Sequence, residues 1–340
     1  MATSSTAQQP PVTSSLPCLV FDHGYEHRTS TIYNVSDGTH RPGDDIFELL
    51  RGNKLSWVTS HNWVLVWDKA TLVTYLWNPH SNNKIDLPPL AEPPTAEAGC
   101  VLSSKPIDPG GCTVLLAAST SNLMWYCRVG DPAASSWVRH EYDVGSVRVP
   151  PGYPDHPTKQ VMYRPASWRG RFYYQRPSDE IGVLELSPAA AEGGKPAFSV
   201  LPMKGPRLVP VGGYVAAASP YLLDLGGELY QVYVFFRNVD FDAVADVGVY
   251  RLDFGRKKAV RVDTIGDRAI LLGASSEFAG WCPATAFGLV PNSVYWMSPE
   301  DGCLHVYDLE QKTEEVREPC RGAGRKPSSS TSFWMVPAHT

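Results

Sequence analysis

The sequence predicts an all-β protein: a single β-propeller of four-stranded blades, six in number with seven as the alternative, closed by strands from both chain termini. Three observations carry this. Gly and Pro account for 28 and 30 of the 340 residues, and a proline inside a helix costs about 3 kcal/mol. Apolar and aromatic runs of about four to eight residues alternate with turn signals from Pro17 almost to residue 318, the signature of short strands. The runs also recur in groups.

The groups run in order. Residues 1–16 are polar and low in complexity and read as a disordered leader. The propeller domain is expected over 17–337. A strand pair near Leu19–Phe21 and Thr31–Val35 comes first. Asp44 to Arg51 is the one stretch that reads as helical, with Asp44 placed to cap it and Ile46, Leu49 and Leu50 on one face. Then a unit of strand, hairpin, strand and short terminal strand occurs five times, at about 54–90, 97–142, 158–202, 214–263 and 268–317. The second-strand anchors Trp63, Val114, Phe172, Leu229 and Val294 lie roughly 50–65 residues apart, the spacing of blades with loop insertions. Residues 321–332 are rich in Arg, Lys, Gly, Pro and Ser and read as a flexible loop within the domain. The apolar stub Phe333-Trp334-Met335-Val336-Pro337 is left to pair with the first strands. That closure makes the sixth blade and removes two open edges.

Composition narrows the function classes. Lys+Arg is 30 against Asp+Glu 35, a formal net charge of −5. This argues against a nucleic-acid surface spread over the molecule, which needs a basic excess. The seven cysteines, Cys18, Cys100, Cys112, Cys127, Cys282, Cys303 and Cys320, contain no C-x-x-C pair. They are expected to be free, buried thiols in a reducing compartment, not a zinc site or a disulfide framework. No run of about 20 apolar residues offers a membrane span. The N-terminus lacks the basic stretch and apolar core of a secretory signal, so the sequon at Asn34-Val35-Ser36 is read as chance. The first arginine is Arg28, which fits poorly with an organelle transit peptide. A cytoplasmic or nuclear protein is expected.

Certain residues together carry a family likeness. Ser60-His61-Asn62-Trp63 is similar to a Ser-x-Gly-Trp hairpin signature, with Asn62 where Gly is usual. Asn78-Pro79, Leu87-Pro88-Pro89, Tyr126-Cys127-Arg128 and Gly170-Arg171-Phe172-Tyr173 follow. Then come Gly227-Glu228-Leu229, Val249-Tyr250-Arg251-Leu252-Asp253, Gly266-Asp267-Arg268-Ala269, Asn292-Ser293-Val294-Tyr295 and Trp334-Met335-Val336-Pro337. In this order the series resembles the plant F-box-associated β-propellers of the KIB type, a domain of unknown function, over nearly all of Pro17 to Pro337. The resemblance implies a plant protein whose propeller recognises other proteins. Many members carry an N-terminal F-box that links them to a ubiquitin ligase. Only 16 residues precede Pro17 here, so the expected form is one lacking the F-box.

A search for chemistry yields no catalytic, cofactor-binding or metal site to assign. There is no G-x-S-x-G elbow, P-loop or dinucleotide fingerprint. His23 and His27 flank a glycine in a strand-and-turn context and need not share a face. His61 beside Ser60 hints at a nucleophile and base, but neighbours on a strand point to opposite faces, and a hairpin corner is the better reading. Asp44 and Asp45 suit a helix N-terminus. Glu314 and Glu315, with Glu310 nearby, read as a solvated edge strand. Trp67-Asp68 marks a strand entering a turn. Gly212-Gly213 and Gly226-Gly227 serve tight turns. Arg256-Lys257-Lys258 and Arg321 to Lys326 read as solvated loops. Trp168 and Trp281 sit in Pro/Gly-flanked loops, where interblade packing is favoured over exposure for binding.

The expectation is therefore a non-enzymatic protein-interaction propeller without a cofactor. It would act as a partner-sequestering or adaptor relative of F-box substrate receptors. Its partner would be a protein, with no membrane and no nucleic acid expected. The alternatives are a propeller-fold enzyme with a central-channel site, or a diverged copy with little activity.

Overall fold

The computed structural model describes residues 16–22, 30–43, 54–59, 61–94, 98–130, 136–147, 158–177, 179–186, 195–206, 215–241, 243–273, 278–319 and 331–337. The leader up to residue 15, the expected helix from Asp44 to Arg51 and the basic stretch Arg321 to Lys326 lie outside them. So do His23, His27, Ser60, Gly212-Gly213 and Cys320.

Six blades follow in chain order. The first is built from β1 (Cys18–Asp22), β2 (Ser30–Asn34) and β3 (His40–Pro42). The second is β4 (Lys54–Val58), β5 (Val64–Asp68), β6 (Thr74–Trp77) and β7 (Lys84–Leu87). The third is β8 (Gly99–Leu102), β9 (Cys112–Ala117), β10 (Leu123–Val129) and β11 (Val138–Glu141). A two-stranded ribbon, β12 (Ser146–Val147) with β13 (Thr158–Lys159), leads into the fourth. That blade is β14 (Tyr163–Trp168), β15 (Arg171–Gln175), β16 (Glu180–Glu185) and β17 (Ala197–Pro202). The fifth is β18 (Ala217–Asp224), β19 (Leu229–Phe236), β20 (Val244–Asp253) and β21 (Lys258–Val262).

The sixth blade departs from the four-strand pattern. It holds β22 (Arg268–Leu272), β23 (Ala279–Pro283), β24 (Ser293–Met297), β25 (Leu304–Asp308) and β26 (Thr313–Arg317), in the order β23-β22-β24-β25-β26. β22 runs parallel to β24. The connection from β23 to β24 crosses the end of β22 through a 3-10 turn at Thr285–Phe287. Val294, expected on a second strand, therefore sits on the third from the axis.

The last strand, β27 (Thr331–Met335), completes the first blade. It pairs antiparallel with β1, Cys18 opposite Met335 and Asp22 opposite Thr331. The closing strand thus begins two residues inside the stretch expected to be loop. Ring closure leaves no unpaired inner strand to template aggregation.

Each blade is buried on both faces by its neighbours, so its middle strands read as continuous apolar runs. Val64-Leu65-Val66-Trp67 and Ser293 to Met297 are buried throughout. The core is accordingly a set of separate interblade clusters. One lies between the second and third blades around Leu65, Trp67, Leu102 and Val114. Others lie between third and fourth, fourth and fifth, and fifth and sixth. The two seams flanking the first blade merge into one cluster around Leu19, Phe21, Tyr295 and Trp334. Seven of the ten tryptophans are buried in these seams. Tight seams also dictate small residues. At Gly182 on β16 a Cβ would fall inside the ring of Tyr174.

Candidate functional site

The inner strand of each blade is β27, β4, β8, β14, β18 or β23, and neighbours touch in turn from β27 round to β23. Small residues recur along them, among them the buried Gly99, Ala166, Ser167, Ala279 and Gly280 and the half-buried Ala217, Ala218 and Ser219, interspersed with bulky side chains such as Trp57, Leu222 and Trp334. Room is limited where six strands converge, so bulky side chains are placed mainly between blades.

At one mouth of the channel the strand ends are stitched together by side chains. Asn62, in the β4–β5 hairpin, sits at φ +66°, a left-handed conformation that asparagine tolerates better than other side chains. Its amide donates to the Pro337 carbonyl beyond β27. Asparagine therefore supplies the turn geometry of the usual glycine and adds a bond between the first and second blades. Beside it, His61 leans across the third blade and places Nε2 3.3 Å from Oγ of Ser167 on β14. Trp168 Nε1 then donates to the Gly227 carbonyl of the β18–β19 hairpin at 2.8 Å. Next to that hairpin, the Arg268 guanidinium lies against Gly226. Away from this mouth, at the other end of β22, the Leu272 carbonyl accepts from Trp334 Nε1 at 2.8 Å and joins the sixth blade to the first.

Burial holds His61 at a pKa of about 4, with the Lys105 charge adding to the depression; Asp108 and a hydrogen bond with the Leu102 backbone oppose it. The ring is neutral near pH 7. Ser167 is buried, and a histidine so reluctant to take a proton is a weak general base. The pair serves as a bridge across the mouth. The sequence pointed to Ser60 as the neighbour of His61; the fold supplies Ser167 instead.

Around the same mouth two tryptophans carry arginines. The Arg169 guanidinium lies 4.4 Å from the Trp168 ring centre, and Arg268 lies 5.3 Å from that of Trp281. Trp168 also stacks on Phe254 at 5.0 Å. Asp224 accepts from the Gly227 amide at 2.7 Å. Burial raises its pKa, against the pull of Gly227 and of the Arg169 charge. Trp168 and Trp281 lie on the inner strands β14 and β23, half-buried, and not in loops. Their rings pack between blades while their arginine-bearing faces border the mouth. At the far end of β14, Arg164 stacks 3.8 Å from the ring centre of Tyr221 and donates to Ser219 Oγ at 2.6 Å.

The other sequence candidates resolve as structure. Asp68 Oδ1 accepts from Ala70 at 2.9 Å and Thr71 at 3.3 Å, making the expected turn after Trp67. Gly226 and Gly227 have φ of +69° and +89° in their hairpin. Arg256 pairs with Asp253. β26 is the expected outer edge strand, but Glu314 is not simply solvated. It meets Nδ1 of His305 at 2.7 Å, while Asp301 meets Nε2 at 3.0 Å. His305 stacks on Trp296 at 4.9 Å. Nothing in the sequence marks this cluster, since Asp301 and Glu314 reach His305 from turn and neighbouring strand. Of the described cysteines, Cys100, Cys112, Cys127 and Cys282 are free and buried; Cys18 is buried and Cys303 half-buried. Among the described residues no group of three His, Cys, Asp or Glu side chains could hold a metal ion.

Residues 34–316 match the model of the KIB1-4 beta-propeller family. No curated protein matches the chain in sequence. Among solved structures, the chain is similar to a putative 6-phosphogluconolactonase from Bacteroides fragilis, 9% identical over 96% of this chain and 99% of that one, with a TM-score of 0.42. A catalytically inactive virginiamycin B lyase from Staphylococcus aureus with quinupristin is 10% identical over 97% and 99%, at 0.37. Apo AztD from Citrobacter koseri is 11% identical over 94% and 98%, at 0.32. Likeness at this level carries nothing about activity.

Proposed function

The chain belongs to the KIB1-4 beta-propeller family, and from that premise we propose that it is a non-enzymatic interaction protein that grips a protein partner at the stitched mouth. The observation that carries this reading is the pair of arginine–tryptophan stacks, Arg169 on Trp168 in the fourth blade and Arg268 on Trp281 in the sixth, flanking the β18–β19 hairpin of the fifth at one rim. Tryptophan and arginine are the residues most enriched where binding energy concentrates. Here they are held by Trp168 on Gly227 and by Arg268 on the Ile265 carbonyl at 3.1 Å, so little ordering cost remains on binding. The inner strands, rich in small and apolar side chains, support the same reading over a channel enzyme. The protein would sequester its partner or join it to another surface, in the cytoplasm or nucleus.

Proximity labelling in native tissue tests this, comparing the wild type with an R169Q/R268Q double variant of matched thermal stability. A specific, saturable partner that the double variant loses is the expected result. No saturable partner, or one retained undiminished by the double variant, overturns it.

A further inference from the structure

A second surface carries an inference that rests on the interaction reading but uses different residues. Each blade ends outward in an edge strand, and such an edge offers unpaired N–H and C=O groups to any extended chain. Five of the six edges are blunted. β3 is short and reads His40-Arg41-Pro42. β7 carries Lys84 and Asp86, and β11 carries Arg139, His140 and Glu141. β21 has Lys258 and Arg261; β26 has Glu314, Glu315 and Arg317. β17 differs: Ala197-Phe198-Ser199-Val200-Leu201-Pro202 has no ionisable side chain and is exposed or half-buried along its whole length.

The register shows which groups are on offer. β17 pairs with β16 so that Leu201 faces Ile181 and Pro202 faces Glu180. One step further the Met203 amide donates to the Asp179 carbonyl at 2.7 Å. Hydrogen-bonded and non-bonded pairs alternate in an antiparallel ladder, so Leu201, Ser199 and Ala197 also spend their main-chain groups on β16. Phe198 and Val200 direct theirs outward. Pro202 falls at an outward position, where its missing N–H costs the blade nothing. No main chain among the described residues pairs with Ala197–Pro202 on this side; just beyond it Lys204 bridges to β21, its amide donating to the Lys257 carbonyl and its carbonyl accepting from the Ala259 amide, both at 2.9 Å, and the open edge ends there. Phe198 stacks on Tyr142 at 5.6 Å, giving an aromatic floor, and Val200 on the same side is 43% exposed.

The flanks choose the occupant. Lys195 and Lys204 are exposed at the two ends of the strand. In an antiparallel self-pair the outward residues must oppose one another, as Val200 with Val200, and that register brings Lys195 of one copy within one position of Lys204 of the other, where like charges repel. The same two lysines would meet acidic residues favourably. We propose that the β17 edge is a strand-addition site for an extended segment of a partner protein, uncharged over about five residues and flanked by acidic ones.

Random peptides displayed on phage and selected on the full chain test this, followed by affinity measurement with the synthetic winners. Enrichment of neutral, β-branched segments with Asp or Glu at their ends is expected. Val200→Pro removes an outward N–H, and Val200→Lys places a charge on the edge without touching the backbone; each should weaken binding at least about tenfold, as should N-methylation of alternate peptide amides. Lys195→Glu with Lys204→Glu should weaken it as well. Enriched peptides that bind Val200→Lys as well as they bind the folded wild type would overturn the proposal. So would enrichment of no such class, or concentration-dependent dimerisation lost in Val200→Lys. In the labelling experiment, a partner kept by Val200→Lys and lost by R169Q/R268Q would leave the mouth reading standing and overturn this one.

Discussion

His61 at the channel mouth and His305 in the outer half of the sixth blade are both drawn away from water, yet the proton is treated in opposite ways. His61 has a serine hydroxyl at 3.3 Å, and the Asp108 charge only partly offsets its burial. Burial dominates and depresses its pKa to about 4. His305 is also buried, which alone would lower its pKa, but the hydrogen bond it donates to Glu314 and the charges of Asp301 and Glu314 outweigh that and raise it. Burial sets the cost of a charge, and the neighbours decide whether it is met. The mouth holds its histidine neutral beside a hydroxyl; the outer half of the sixth blade surrounds its histidine with carboxylates.

The largest test weakens the ring that carries both regions. Trp334 is fully buried and donates to the Leu272 carbonyl, tying the closing strand to the sixth blade. Trp334→Ala should cost about 4 kcal/mol. Chemical denaturation will check it, and a loss below about 1 kcal/mol would mean that the seam is not a main support of the ring.

Next in size is the acid limb from His61. Its folded-state pKa lies below that of the unfolded chain, so unfolding takes up a proton in acid. Stability should therefore fall as pH drops from 6.5 towards about 4. Over that whole interval the loss is up to about 3 kcal/mol. Denaturation midpoints at stepped pH should show this limb in the wild type and lose it in His61→Gln. A limb unchanged in the variant would assign it to other groups.

The smallest effect is at His305 and has the opposite sign. A raised folded-state pKa gives stability that is complete below 6.5 and is lost as pH rises through the folded value. His305→Gln should cost about 2 kcal/mol at pH 6, below the 3–5 kcal/mol of a fully buried broken pair, because Asp301 and Glu314 keep contact with water. NMR titration of the two ring resonances separates the histidines directly. Equal pKa values would erase the comparison.

Much of the fold was legible because blades buried on both faces leave a simple mark: short apolar runs, turn residues between them and regular spacing. The anchors Val114 and Phe172 fell on the second strands expected of them, and the terminal stub paired as expected. Val294 did not. The hairpin of β22 and β23 is as apolar as any blade strand, so its insertion beside the axis left no distinct pattern in the chain. The site was far less legible. His61 and Ser167 stand 106 positions apart, and local spacing carries no information about such a pair. Asn62 looked like a decayed glycine until its φ and its bond to Pro337 showed a turn residue that also ties two blades together.

By itself the sequence determined the class and the means of closure and favoured the six blades found over seven, because those follow from where apolar side chains must hide from water. Only the tertiary structure decided which side chains meet at the mouth, which histidine is held neutral and which outer edge is left without charge. Those depend on register and on contacts across the ring, where hydrogen-bond geometry and local burial act over a few ångströms and not along the chain.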